Sequence, residues 1–558
     1  MAQIDTLITV GRIVDGTGNP WFYGDVAIVG ERIARIAPPG TIDPTTATTV
    51  IDASEHIVAP GFIDIQSHSI IPWLTDSRSL SKVTQGVTTE ILGEGWTPAP
   101  WGGKIANAFT GALINRIGED EANEWEALAH TWTRFGDWLA EFERRGVSVN
   151  FGSFLGGGTV REFGCGERMG DPTDEELAAM TQMVAESMED GAFGIATALI
   201  YPPNAYSTTP ELIACMAVVA EYNGVHITHM RSEGDLIFDG LGETLDIAEA
   251  TGVATEIYHL KAAGKVNWEK MAGVIHRINE ARDAGLDITA DMYPYDGSGT
   301  GLAACLPWWV SENGKRHEKL RDPETRARII AEMKSEDTDW ENMGLRTGPE
   351  NIILAGISHP DTRKYRGWRL QQVADDLGMD WPETIVHLLD VEGTNIFTMY
   401  LGMSEDNIRQ QVQQPWIKFS TDAGGIDPEN MADVGLVHPR AYGTYTRVLG
   451  RFVREYGWLT LEEAVRKSSS AVADRLCLRD RGMLRDGMRA DVIVFDPETV
   501  IDHATYTDPH HLSTGIRDVF VNGTAVLRDA AHTGAMPGQR VNGPGYREER
   551  GESNEDRD

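Results

Sequence analysis

The sequence predicts an α/β protein built on a (β/α)8 TIM-like barrel, with a smaller β layer drawn from both chain ends and a long insertion late in the barrel. Three observations carry this. Eight apolar, β-branched runs recur between residues 58 and 421, each short enough for a buried strand. Most are separated by stretches of helical spacing, the alternation that gives a parallel sheet. Several runs end in His, Glu or Asp, and barrels assemble their sites from residues at the C-terminal ends of their strands. An open doubly wound sheet is the rival, but no Gly-X-Gly-X-X-Gly turn follows the first strand.

In chain order, residues 1–57 read as short strands, at Ile4–Val10, Asp25–Val29, Arg32–Ile36 and Thr49–Ile51, broken by Gly, Asp and Pro. This is a small β layer without chemistry of its own. The barrel, residues 58–478, opens on an apolar run through Ile65 that carries Asp64, Gln66 and His68 at spacing two, hence on one face. Further strands are expected at Val87–Leu92, Val147–Leu155, Gly191–Leu199, Val225–His229, Thr255–Leu260, Asp287–Met292 and Trp416–Thr421. Asp174–Glu189 reads as an amphipathic helix whose early acids suit the helix dipole. The insertion, about residues 301–415, holds a charged helical part (His317–Ser335) and apolar runs at Ile352–Ile357 and Ile396–Leu401. A long excursion of this kind is expected to form a lid or pocket wall. Leu461–Leu476 reads as a helix and Gly482–Phe495 as two strands about a turn. Asn522-Gly523 between two apolar runs signals a hairpin. Residues 479–542 would thus complete the layer begun at the N-terminus, and residues 543–558, rich in Gly, Glu, Arg and Asp, are expected to be a disordered tail.

Of the 558 residues, 85 are acidic and 49 basic, a formal net charge of −36. A field of that sign repels nucleic acid and anionic membrane surfaces, so neither is an expected partner. The four cysteines are scattered, with no Cys-X-X-Cys pair, which suits reduced thiols in a cytoplasm. No secretory leader or membrane-spanning run is read. A homo-oligomer is a default expectation.

The strand ends offer His68, Glu94, His229, His259 and Asp422. Two imidazoles with a carboxylate suit zinc in its catalytic form, which keeps a position open for water. A further carboxylate can shuttle the proton. A single His at a strand end is ordinarily structural, Glu94 in Gly-Glu-Gly could be a solvated loop residue, and Asp422 could cap a turn. The weight lies in finding all of them at strand ends. His226, three residues before His229, points to the opposite face and reads as structural, as do His56, His359 and His387.

Pro-Gly-Phe-Ile-Asp (60–64), Gly-Val-Thr-Thr (86–89), Thr-His-Met-Arg-Ser-Glu-Gly-Asp (228–235), His-Leu-Lys-Ala-Ala-Gly (259–264) and Asp-Met-Tyr-Pro-Tyr (291–295) together resemble the D-aminoacylase, or N-acyl-D-amino-acid deacylase, branch of the amidohydrolase superfamily. The resemblance extends to Gly487–Phe495 and covers the chain to about residue 540. It implies a zinc amide hydrolase on a (β/α)8 barrel, with a β-sandwich made from both termini. His229 and His259 match the tight zinc ligands, Asp422 the catalytic acid/base, and His68 the second histidine of a His-X-His pair. Lys261 and Tyr293 match positions that hold a substrate carboxylate, and Arg231 of the third motif is expected to bind substrate with them.

Two departures stand out. The first histidine of the pair is Gln66, and Gly93-Glu94-Gly95 replaces the usual metal-bridging cysteine. The fourth strand offers no lysine. Glu94 is therefore the expected replacement ligand, giving one firmly held zinc and a weak or empty second site. On this reading Asp422 takes a proton from the attacking water and delivers it to the leaving nitrogen, while His68 helps bind metal or steadies the oxyanion. The substrate expected is an N-acyl-D-amino acid. Two rivals remain: a different amide, such as a xenobiotic or antibiotic amide, dipeptide or cyclic amide, and a non-catalytic scaffold, which Gln66 favours and the His229, His259 and Asp422 set disfavours.

Overall fold

The computed structural model describes residues 3–109, 117–431 and 435–547. The chain is a mixed α/β protein with parallel sheets. Eight successive segments run parallel: Phe62–Asp64, Val87–Leu92, Asn150–Ser153, Gly194–Ala198, Val225–His229, Ala254–Ile257, Ile288–Met292 and Ile417–Phe419. The first three form one sheet and the last five, joined by Leu155–Gly156, form another. The third strand serves both. Asn150–Ser153 pairs with the second strand, and Leu155–Gly156 pairs with the fourth. The eighth meets the first beyond its regular end, where Asp422 N donates to Gln66 O (3.0 Å) and His68 N to Ala423 O (3.1 Å).

These strands are buried on both faces, as parallel strands covered by helices must be. All six residues of Val87–Leu92 and all five of Val225–His229 are buried. Val83, Phe151, Ile195, Ile257, Ile288 and Phe419 belong to one large core, and each such side chain contributes about 1.5–3 kcal/mol by leaving water. The helix Asp174–Glu189 has the predicted bounds. Thr173 Oγ1 accepts from Glu176 N while the Glu176 carboxylate accepts from Thr173 N, a reciprocal cap that fixes its start.

A fully buried lysine ties the first and eighth strands together below the site. Lys82 Nζ donates to Asp64 Oδ2 (2.5 Å), Thr421 Oγ1 (2.5 Å) and Ala423 O (2.7 Å). The lysine is thus bonded to residues on both sides of Asp422.

Both chain ends enter one nine-stranded sheet. The reason lies in the first strand, Ile4–Ile13. Its register shifts between Ile8 and Gly11, and Val10 takes a positive φ of 57°. Its first half pairs in parallel with Ala47–Asp52 and its second with Ile57–Pro60, so one bent strand links what two sheets would divide. Asn522 and Gly523, both at positive φ, turn the predicted hairpin between Ile516–Val521 and Thr524–Arg528.

Three expectations are corrected. Only Val492–Phe495 of the segment 482–495 is a strand. The stretch 461–476 is two helices, Leu461–Ser468 and Ser470–Arg475, because Ser469 leaves helical geometry (φ −135°, ψ −86°). Residues 543–547, assigned to the tail, pack on the fold: Gly543 N donates to Gly191 O and Arg547 N to Glu189 O. The rest of that tail lies outside the described residues.

The insertion builds its own core from Leu302, Leu320, Ile329, Ile352, Leu354, Ile385 and Leu389, among others. Its apolar runs form strands Ile352–Leu354 and Phe397–Tyr400, and the second lies between the first and Ser298–Gly301, antiparallel to both. No helix among the described residues is long and apolar enough to cross a membrane. Cys165, Cys215, Cys305 and Cys477 are all free thiols.

Candidate metal centre and active site

The C-terminal ends of the parallel strands open into a cavity of about 1060 Å3. His68, Glu94, His229, His259, Lys261, Tyr293 and Asp422 all line it. Met343 and Phe397 bring the insertion into its wall, as expected of so long an excursion.

Glu94 is the hub. Its Oε1 lies 3.6 Å from His229 Nδ1 and 3.4 Å from His259 Nε2. Its Oε2 lies 3.2 Å from His68 Nε2. Two three-residue groups result, Glu94–His229–His259 and His68–Glu94–Asp422, each with ligand atoms within 4.8 Å of one another. The first fits a cation. His229 is buried, and its Nδ1, the nitrogen that faces Glu94, makes no hydrogen bond. A buried ring nitrogen left without a partner costs free energy unless something else fills its valence. Two imidazoles and one carboxylate oxygen are a donor set zinc takes readily.

Backbone geometry serves this convergence. His259 and Asp422 both sit at positive φ, 32° and 48°, conformations a non-glycine residue adopts at a cost. His259 is steadied by Asp291, whose Oδ1 accepts from His259 N (2.9 Å). Gly93 and Gly95, also at positive φ, flank Glu94 and let the loop turn tightly.

The electrostatics follow from burial and pairing. Part of the His68 ring stays open to the cavity; desolvation of the rest opposes its charge, but hydrogen bonds to Asp422 and Glu94 outweigh that and raise the imidazole to about 9. Burial alone would raise the Glu94 carboxyl; the facing histidines instead hold it well below its ordinary range. Asp422 is likewise held low against burial, first by Arg440 and then by His68. Its Oδ1 is 2.9 Å from His68 Nε2 and its Oδ2 2.6 Å from Arg440 Nη1.

Sequence reasoning missed two functional candidates. Glu233 stands behind both histidines: its Oε1 is 3.1 Å from His259 Nδ1 and its Oε2 3.2 Å from His229 Nε2. A carboxylate there orients the rings and leaves their other nitrogens facing Glu94. The signal was present, since Glu233 follows His229 by four inside a quoted motif. Arg440 lies eighteen residues past Asp422 on the helix Arg440–Arg447, and no local pattern marks it.

Lys261 reaches the cavity, but its ammonium donates to both Glu233 oxygens at 2.7 Å. Tyr293 is flanked by Arg440, 4.6 Å from its ring centre, and Lys261 at 5.9 Å. The structure does not bring Arg231 to this cavity. Glu243 and the carbonyls of Ala205 and Ser207 take its guanidinium, because it follows the strand Val225–His229 at a position facing the neighbouring helix layer. His226 is buried away from the site and bonded to Thr197 Oγ1; burial lowers it to about 4.

No protein-family model matches the chain. It is 32% identical to N-acyl-D-glutamate deacylase of Alcaligenes xylosoxydans xylosoxydans, over 95% of this chain and 94% of that protein. It is 31% identical to the same organism's D-aminoacylase, over 96% of this chain and 97% of the relative. The chain belongs to the D-aminoacylase family of amidohydrolases. It is accordingly an enzyme, a hydrolase of amide bonds, and not a bare scaffold. Among solved structures, the N-acyl-D-glutamate deacylase of Bordetella bronchiseptica, complexed with zinc and a phosphonate inhibitor, covers 97% of this chain and 100% of its own at a TM-score of 0.78 and 29% identity.

Proposed function

We propose that this amidohydrolase cleaves N-acyl-D-amino acids with one firmly held divalent cation, zinc by donor type, at His229, His259 and Glu94. The observation that carries the reading is the unbonded, buried Nδ1 of His229 facing Glu94 Oε1 beside His259. We place this centre at the C-terminal mouth of a (β/α)8 barrel made by the eight parallel strands, with residues 1–57 and 479–542 as the accompanying β domain. When bound, such a cation acidifies water and polarises a carbonyl.

The chain's own residues do the rest. Asp422, ionised and open to the cavity, accepts a proton at Oδ1 or Oδ2 and returns it to the departing nitrogen. His68, charged at neutral pH through its two carboxylate partners, offers a donor to developing negative charge on the scissile oxygen. Arg440, Lys261 and Tyr293 form a donor cluster suited to the substrate's α-carboxylate. A second cation in the His68–Glu94–Asp422 group is held weakly at best. Gln66 brings no imidazole to it, and Arg440 already neutralises Asp422.

The charge of the cavity narrows the substrate. Among the described lining residues the permanent cations are Lys261 and Arg440, and both are already paired with carboxylates. Glu126, Glu162 and Glu167 also line the cavity. A second carboxylate on the substrate would have no cation beyond the two that its α-carboxylate already shares with Glu233 and Asp422. N-acetyl derivatives of D-leucine and D-phenylalanine should therefore be cleaved at least tenfold better, in kcat/KM, than those of D-glutamate and D-aspartate. The test is a screen of N-acetyl-D- and L-amino acids beside simple anilides, with metal content measured on the same sample. Cleavage confined to anilides, or a sample active with no metal, would overturn the proposal.

A further inference from the structure

Gln66 and Glu94 are the two places where this chain departs from the pattern it otherwise resembles, and in the structure they touch. Gln66 Nε2 donates to Glu94 Oε2 at 2.5 Å. Ser420 Oγ donates to Gln66 Oε1 at 3.3 Å. Gln66 is buried, and its carbonyl oxygen accepts from Asp422 N. The amide orientation is determined by Glu94: turned over, Gln66 would set an oxygen against a carboxylate oxygen at hydrogen-bond distance.

The consequence falls on Glu94. Its stem has free torsions, and the glycines on either side do nothing to restrict them. A thiolate presents one donor atom whatever its rotation. A carboxylate presents two, and which one meets the histidines depends on what holds the other. Here Oε2 takes the Gln66 amide and stands 3.2 Å from His68, leaving Oε1 toward His229 and His259.

We propose that Gln66 is a positioning residue that anchors Glu94 Oε2 and reserves Oε1 for the cation held with His229 and His259, so that Gln66 and Glu94 work as one coupled replacement for an imidazole and a thiolate. The inference rests on the cation site proposed above. Partners that orient a metal ligand are worth 10–100-fold in affinity.

The test is the zinc affinity of the purified full chain, stripped and then titrated against a chromophoric chelator. Gln66→Met keeps the volume and removes the donor, and should weaken zinc by about 10–100-fold. In a Glu94→Ala background the same change should cost nothing further, and in a Glu94→Cys background it should also cost nothing, because a single-atom donor needs no orientation. A merely structural role for Gln66 would weaken zinc equally in all three backgrounds and would overturn the inference. So would Gln66→Met that binds zinc as tightly as wild type. Should Gln66→Met fail to fold, Gln66→Asn, shorter by one methylene, carries the same three-background comparison with the amide retained. Wild type holding no zinc would sink the site reading itself; zinc held by wild type and untouched by either variant sinks this inference alone.

Discussion

Replacing Asp422 by asparagine keeps the side chain's shape and removes its charge, and the structure sets two separate magnitudes. The first concerns turnover. Positioned proton transfer is worth about 10²–10⁴ in rate, or about 3–5 kcal/mol of barrier, and Asp422→Asn should lose that factor in kcat/KM. The second concerns the fold. Arg440 is buried and its Nη1 lies 2.6 Å from Asp422 Oδ2. Removing one partner of a buried ion pair costs about 3–5 kcal/mol because the other charge stays behind. The asparagine oxygen can still accept from Arg440, so the lower end applies. Zinc content should not change, since His229, His259 and Glu94 are untouched. Steady-state kinetics, zinc per chain and thermal unfolding on one preparation separate the three effects. Turnover within tenfold of wild type at full zinc content would remove Asp422 from the chemistry.

Two more variants probe the supports of the site. Lys82→Met leaves Asp64 buried without its cation, and releases Thr421 and Ala423 on either side of Asp422; denaturant unfolding should show a loss of about 3–5 kcal/mol, and a loss under 1 kcal/mol would mean the pair is replaceable. Burial first, and the Glu233 charge second, raise the Glu341 carboxyl from 4.5 to about 7. A carboxyl raised on folding stabilises the protein below its unfolded pKa, and that contribution fades as pH climbs toward 7. Thermal midpoints of wild type should thus fall relative to Glu341→Gln between pH 4.5 and 7, and parallel curves would contradict the assignment.

Much of the centre was legible because strands impose a period of two and the barrel rule says which end matters. His229 could be read as the last residue of an apolar run, and the structure ends the strand there. Glu94 was expected to stand in for the missing sulfur, and the structure brings its carboxylate to face both histidines. Arg231 was misplaced because motif membership fixes neighbours in the chain and not direction: the strand ends at His229, its period of two no longer holds at Arg231, and Glu243 on the next helix captured the guanidinium. Arg440, on the next α-helix past Asp422, and Lys82, on the short helix Leu80–Val83 far before it, left no trace because nothing local distinguishes a buried cation from a solvated one.

The sequence alone determined that alternating strands and helices would carry imidazoles and carboxylates to one set of strand ends, since periodicity and residue type are local properties. Which carboxylate oxygen faces which imidazole, that Gln66 grips Glu94, and that every permanent cation among the described lining residues is already paired were decided by the tertiary structure, because hydrogen bonds and Coulomb terms depend on distances of a few ångströms between residues the chain keeps far apart.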